Sequence, residues 1–509
     1  MRITNQMISG NSLRNMQKSM SAVNKVTQQM TSGKKISQAS EDPVIAIRAL
    51  KLRTTVNQLQ QFKEKNIPDA QSWLDITTTS LDNIVARIED IEDYCVQGST
   101  DSFNSTDRSA IIDSLKQLQE MIYNEGNSSY AGRYIFSGYK TDRGLTFTDT
   151  EDTSKYSYDI TQHFDAKALD TKNVVNKEVD YNQVDAYIAD PSTYEQPDPE
   201  MVYRLNLGYE GVNDINSQGQ DVFKLSATDI NGNAINLSTF SFNVKTTADS
   251  ATYYEVGDDD INLIEETGEI IFGENVYNTL KQADDIQVTY AKNDVESGDL
   301  RPEHYYDCVQ HVVQTDGSIK DITYTMPDEG QKIYYEVNFS QSLQVNTEGR
   351  ELVSGEMAND INDLIYTLAD LEEAELTQAK LKSMLEDVQY STNDVAVKQI
   401  NQMLKDVDVE IAAKKQNLQK TFSNNITNFQ SYMDRISAMQ SDVGSRMSKL
   451  EMISVRVDEQ YASFKELKSV NEDAETDEVI IDFNEASLVY ESALAATGNI
   501  MNTTLLDYL

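Results

Sequence analysis

The sequence predicts a mainly α-helical protein with a β-rich domain inserted in its middle, its N- and C-terminal helices paired as a coiled-coil stalk. Three observations carry this. The seven prolines end at Pro327, so the long C-terminal stretch lacks the strongest helix breaker. Apolar residues in both flanks recur at steps of three and four, while the middle is broken into short strand-like runs. The two ends also differ in sign: residues 1–38 hold six basic side chains and no acid, and residues 471–509 hold nine acids and no Lys or Arg.

The elements follow in order. Leu13, Met16, Met20, Val23, Val26 and Met30 mark a first helix that Gly33 can stop. Asp42 before Pro43 reads as an N-cap followed by proline at the first helical position, opening a second helix that continues to Leu59. Leu74, Thr77, Leu81, Ile84, Ile88, Ile91 and Cys95 form a third helix with a heptad seam. Beyond a polar loop near Gly98–Asn104, Ile111, Leu115, Leu118 and Ile122 mark a fourth. At the far end a seam from Phe422 through Met447 and Leu450 to Phe464 predicts one long helix. The closing helix carries Ala486, Tyr490, Leu494, Thr497, Met501 and Leu505. Residues 372–415 read as extra helical length in the inner coil.

Residues 141–350 change texture, with 40 acids against 14 bases. Val202–Leu207, Thr267–Ile271, Ile286–Tyr290 and Ile333–Phe339 read as strands, and Asn231-Gly232 as a hairpin turn. The chain thus divides into 1–38, a terminal helix; 39–140, half of a helical inner domain; 141–350, the acidic insert; 351–470, the other half; and 471–509, the closing helix. An insert sends the flanking helices out and back, so the oppositely charged termini should meet.

The formal charge of −41 argues against nucleic acid or anionic lipid as partner. Two cysteines exclude a disulfide framework, and no stretch is apolar enough for a membrane span. The start has no signal-peptide core, so a cytoplasmic site is expected unless export needs no cleaved signal. His304, Cys308 and His311 are a weak metal candidate, with Asp307 or Glu303 as a fourth ligand. Asp229–Asn233 looks like a calcium loop but has Phe240 where the twelfth-position acid belongs. No catalytic motif appears, so neither an enzyme nor a cofactor is expected. Cys95 on the seam reads as an inert buried thiol and Trp73 as core.

The ends carry more than helical spacing. Thr31-Ser32-Gly33-Lys34-Lys35-Ile36 followed by Glu41-Asp42-Pro43 resembles the N-terminal segment of the bacterial flagellin family. Asp69-Ala70-Gln71-Ser72-Trp73-Leu74 and Gly132-Arg133-Tyr134-Ile135-Phe136-Ser137-Gly138 are similar to its hook-associated branch, as is Pro43, where flagellins carry an acid and alanines. The helix from Tyr490 to Leu509 and the segment Gly444–Glu451 resemble the family's closing helix and inner coil. The resemblance implies export, without signal cleavage, through the flagellar type III apparatus with a chaperone guarding the C-terminal helix, and an extracellular place in the flagellum. It implies a homo-oligomeric ring between a first hook-side junction protein and flagellin. Leu13, Met16, Met20, Val23, Met30, Ala486, Tyr490, Leu494, Met501 and Leu505 would be the assembly residues; Leu81, Ile84, Ile88, Ile91, Met447 and Leu450 would be the inner-coil seam. The alternatives are a filament subunit proper, or an adhesin acting through the insert.

Overall fold

The computed structural model describes residues 5–98, 105–247, 253–327 and 330–502. They form two compact units, one of residues Met1–Gln71, Tyr335–Leu343 and Met447–Leu509, the other of Ser72–Tyr334 and Gln344–Arg446. The sequence segments 39–140 and 351–470 therefore each contribute to both.

The first unit begins with α1 (Asn5–Ser32), which ends where Gly33 takes φ +65°. α2 (Pro43–Gln61) opens as its residues require: Asp42 is extended, and its carboxylate accepts from the Val44 and Ile45 amides. Proline at N1 gives up an amide that would have had no partner in the helix. Replacing Asp42 with alanine is expected to cost about 1 kcal/mol, read as a lower urea midpoint of the helical signal.

The expected break between the second and third helices does not occur. α2 passes through a π-helical turn, Phe62–Asn66, directly into α3 (Ile67–Gly98). Pro68 supplies the reason. Its ring would collide with the Glu64 carbonyl in a regular α-turn, and the wider π-turn, closed by the Ile67 amide on the Phe62 carbonyl, makes room. Against this turn lies the tip of a hairpin, where Phe339 meets Phe62 edge-on at 5.5 Å and the Glu336 carbonyl accepts from Asn66 Nδ2 at 2.7 Å.

In the second unit the α3 seam is fully buried from Leu74 to Cys95. α4 (Ser105–Gly126) follows, then a two-strand turn, β1 (Ser129–Tyr130) and β2 (Arg133–Tyr134). This turn covers Trp73: Tyr130 meets the indole edge-on and the Arg133 guanidinium lies 5.2 Å over it. Next along the chain come β3 (Tyr156–Phe164), β4 (Asp170–Asn176), α5 (Val184–Ala189), β5 (Asp198–Asn206), β6 (Lys224–Thr228) and β7 (Ala234–Ile235). They are followed by β8 (Ser241–Lys245), β9 (Asp260–Ile264), β10 (Glu269–Phe272), α6 (Glu274–Leu280) and β11 (Asp285–Lys292). The β-rich region of this unit closes with β12 (Asp307–Val313) and β13 (Ile319–Tyr324); β14 (Tyr334–Asn338) and β15 (Gln341–Gln344) follow, and their residues Tyr335–Leu343 belong to the first unit.

Six strands make one sheet in the order β13-β12-β3-β11-β6-β7, and five make another, β4-β5-β10-β9-β8. Neighbouring strands in these two sheets are antiparallel except β8 with β9, which are parallel. Asn231-Gly232 sits in the predicted hairpin, between β6 and β7, where Gly232 takes φ +78° and the Asp229 carboxylate accepts from the Asn231 and Asn233 amides. That carboxylate holds its own turn. Gly268, at φ +68° between β9 and β10, stands where any Cβ would lie 2.0 Å from the Tyr209 carbonyl oxygen.

Beyond α7 (Gly349–Leu352), helices α8 (Gly355–Glu386), α9 (Val388–Ser391) and α10 (Asp394–Glu472) return to the helical pattern. α4 packs on α8 through Ser109 to Glu372 at 2.6 Å, Gln119 to Asn362 at 2.9 Å and an Arg108–Glu375 ion pair. α3 meets α10 where Gly98 faces the Phe422 ring and Gln440 donates to Asp82 at 2.7 Å. Residues 372–415 are helical but do not extend one coil: the chain reverses at 387–393. Asp387 caps α9 and Asn393 accepts from the Val395 amide, so side chains replace helical partners on both sides of the turn. Leu381 then packs against Ile400, Met403 and Val407, with Val179 and Val184 of the β-rich region completing the cluster. Among the described residues no helix is long and apolar enough to cross a membrane.

Candidate assembly surface

α11 (Thr476–Asn502) begins beside the residues at which α1 ends, and the two pack together as an antiparallel pair. A short backbone clasp joins their bases. The Lys35 amide donates to the Glu472 carbonyl at 2.8 Å, and the Ala474 amide to the Gly33 carbonyl at 3.0 Å. The opposite charges of the two ends meet here, at specific groups. Glu472, with its side chain 4% exposed, receives Arg53 through Nε at 2.7 Å and Nη2 at 2.8 Å. Lys34 reaches Asp473 at 2.5 Å and Glu472 at 3.6 Å. The hydrogen bonds from Arg53 hold the Glu472 carboxyl below its usual range, and the bond to Asp473 raises Lys34. Net charge pointed to this pairing; nothing local marked Arg53 as the clamp.

The predicted assembly stripes divide in two. Met16 and Val23 on α1, and Ala486 and Tyr490 on α11, are half-buried. Leu13, Met20 and Met30 are exposed, as is Leu494 at 50%. The Met501 side chain and all of Leu505 lie outside the described residues. Ile480, Ile481, Leu488 and Val489, which lie outside the predicted stripe, are also exposed apolar side chains on α11. From Met7 to Ser32 no side chain is buried, and on α11 only Val479 and Thr497 are, among the described residues. One thin stripe on each helix is used for the pair, and a second is left facing solvent.

The inner-coil residues sit deeper. Leu81, Ile84, Ile88 and Ile91 are fully buried in the second unit; Leu450 is buried and Met447 half-buried in the first.

His304, Cys308 and His311 do not come together as ligands. Cys308 and His311 stand three residues apart on β12, so they project from opposite faces of the sheet. His311 is taken by Asp321 at 2.7 Å and Asp159 at 3.1 Å; burial alone would lower its pKa, but these bonds raise it. His304 lies on the preceding turn, and burial pushes its pKa down to about 3. Among the described residues no group of three or more His, Cys, Asp or Glu is placed to hold a metal ion. Cys95 and Cys308 are free and buried, and burial pushes the Cys95 thiol up to about 12.

Comparison with known proteins places the N-terminal part of the resemblance within one matched stretch. Residues 3–141 match the family of the bacterial flagellin N-terminal helical region. The chain is 27% identical over 157 residues to flagellar hook-associated protein 3 of Escherichia coli, covering 31% of this chain and 48% of that one. It is 27% identical over 143 residues to the protein of the same name from Salmonella typhimurium, covering 28% and 45%. A flagellin of Clostridium tyrobutyricum is 29% identical over 127 residues, covering 25% of this chain and 33% of that one. The chain thus spans about half the length of the hook-associated relatives it matches. These relatives are flagellar structural proteins, not enzymes. Residues 3–141 are similar to the bacterial flagellin N-terminal helical region, and the chain is similar to flagellar hook-associated protein 3.

Proposed function

We propose that this chain is a junction subunit of the bacterial flagellum, joining a hook-side neighbour to the flagellin filament and assembling through its terminal helices after export as an unfolded chain. The observation that carries the reading is the α1–α11 pair, which leaves apolar side chains uncovered on both helices of a chain with a flagellin N-terminal region. Ordering a backbone costs ~1–2 kcal/mol per residue, more than such thin burial returns, so packing against neighbours is what would complete these helices. In this reading 1–38 and 471–509 are the assembly elements, and the 141–350 insert is not required for attachment. The subunits form a ring, with an export chaperone covering α11 beforehand.

A filament subunit is the second reading, favoured by the match to a flagellin. Antibody labelling of isolated hook–filament particles separates the two. A junction subunit is expected as a single band at the hook end, with few copies per filament. Label along the whole filament would establish the second reading instead, and no label anywhere would remove both.

A further inference from the structure

Within the first unit an apolar groove of about 600 Å³ runs between α2 and the last turns of α10. Leu52, Leu467 and Val470 line it, and Lys35, Arg48 and Lys51 stand along its edge. Leu467 and Val470 are 51% and 65% exposed, so the described residues leave half or more of each uncovered. Lys35 donates to the Val470 carbonyl, which leaves its charge unneutralised, and among the described residues no carboxylate pairs with Arg48 or Lys51. In a chain of net charge −41, an apolar groove with an unpaired basic edge calls for an apolar and acidic occupant.

The chain contains such a surface on another helix. α11 uses Val479, Phe483, Ala486, Tyr490 and Thr497 towards α1, and its opposite side carries Ile481 and Leu488, 65% and 64% exposed. These two stand seven residues apart, on one line along the helix. Glu478 and Glu485, each three residues earlier, form an acidic edge to that line, and α11 has no basic residue. Groove and stripe are both open in one copy.

We propose that the groove between α2 and the end of α10 receives the outer face of α11 from a second copy of this chain, with Arg48 and Lys51 facing Glu478 and Glu485. The contact joins different surfaces of the two copies, so it repeats head to tail and generates a ring or a helical array rather than a closed dimer. It rests on the assembly reading above and names the partner of that surface.

Full-length chains carrying Val470→Cys and, separately, Ile481→Cys, with different tags, are mixed at the highest soluble concentration under mild oxidation. The natural cysteines are buried and stay in place. The expected product is a mixed disulfide dimer that neither variant forms alone. Adding Arg48→Glu and Lys51→Glu is expected to slow it about five-fold or more, and Glu478→Lys with Glu485→Lys on the other chain to restore it. Circular dichroism confirms that each variant is folded. No mixed dimer, or one indifferent to the charge reversal, overturns the proposal. A chain that labels the hook end but forms no mixed dimer keeps the junction reading and loses this one. A chain that forms the dimer yet is absent from flagella does the reverse.

Discussion

Replacing Arg204 with methionine is expected to destabilise the second unit by about 3–5 kcal/mol, the range for removing one partner of a buried ion pair. Arg204 lies on β5 with a side chain 9% exposed, and binds Glu269 at 2.7 Å, Asp363 at 2.5 Å and Asp170 at 3.2 Å. Asp363 belongs to α8, so one guanidinium ties the five-stranded sheet to a helix. Glu269 is itself 4% exposed and also accepts from Lys172 and the Tyr254 hydroxyl, both at 2.8 Å. Methionine matches the length of the arginine stem but leaves Asp363 without its cation and Glu269 with Lys172 as its one remaining cation. Urea denaturation of the variant measures the loss; a change below 1 kcal/mol would mean that water reaches the cluster and screens it.

The same cluster sets an acid limit. Burial pushes the Glu269 carboxyl up, but the charges of Lys172 and Arg204 outweigh it and bring it down to about 2. A carboxyl held below its ordinary value of 4.5 stabilises the fold above that value and loses the contribution as pH falls from 4.5 towards 2. The difference corresponds to roughly 3 kcal/mol. Stability of the unmodified chain should fall steeply across that window, and Glu269→Gln should flatten the slope while lowering stability at neutral pH.

Removing residues 478–509 is expected to abolish incorporation into flagella while the second unit melts as it does in the full chain. Every residue removed belongs to the first unit, and the second draws nothing from beyond Arg446. The truncation deletes nearly all of α11, and with it the partner of α1, on which no described side chain is buried even in the pair. The clasp at Glu472 and Asp473 remains, but it lies at the base of the pair and cannot replace the lost face. Quantifying the truncated chain in purified hook–filament particles tests this, with the melting profile as the control for folding. Normal incorporation would place assembly somewhere other than the terminal helices.

Much of this was legible because it is local or periodic. Asp42-Pro43 opens a helix through its own carboxylate and ring, Asn231-Gly232 turns through its own dihedrals, and the seam from Leu74 to Cys95 announces a buried stripe by spacing alone. The reversal at 387–393 was also written locally, in Asp387 and Asn393, but continuous helical periodicity on both sides concealed it. The π-turn was hidden differently: Pro68 suggests a break, and only the geometry of the turn before it shows how the helix survives.

The sequence by itself determined that this protein has helical ends and a β-rich middle, and that its termini attract one another. Hydrophobic period, proline placement and charge are properties of the chain before it folds. Only the tertiary structure decided that the strands at Glu269–Phe272 and Asp285–Lys292 enter different sheets, that β12 turns Cys308 away from His311, and that Arg53 is the clamp on Glu472. It also decided which terminal stripe faces its partner and which faces solvent. A helix with apolar residues on more than one side carries no local signal of which side will be covered, because that depends on residues hundreds of positions away.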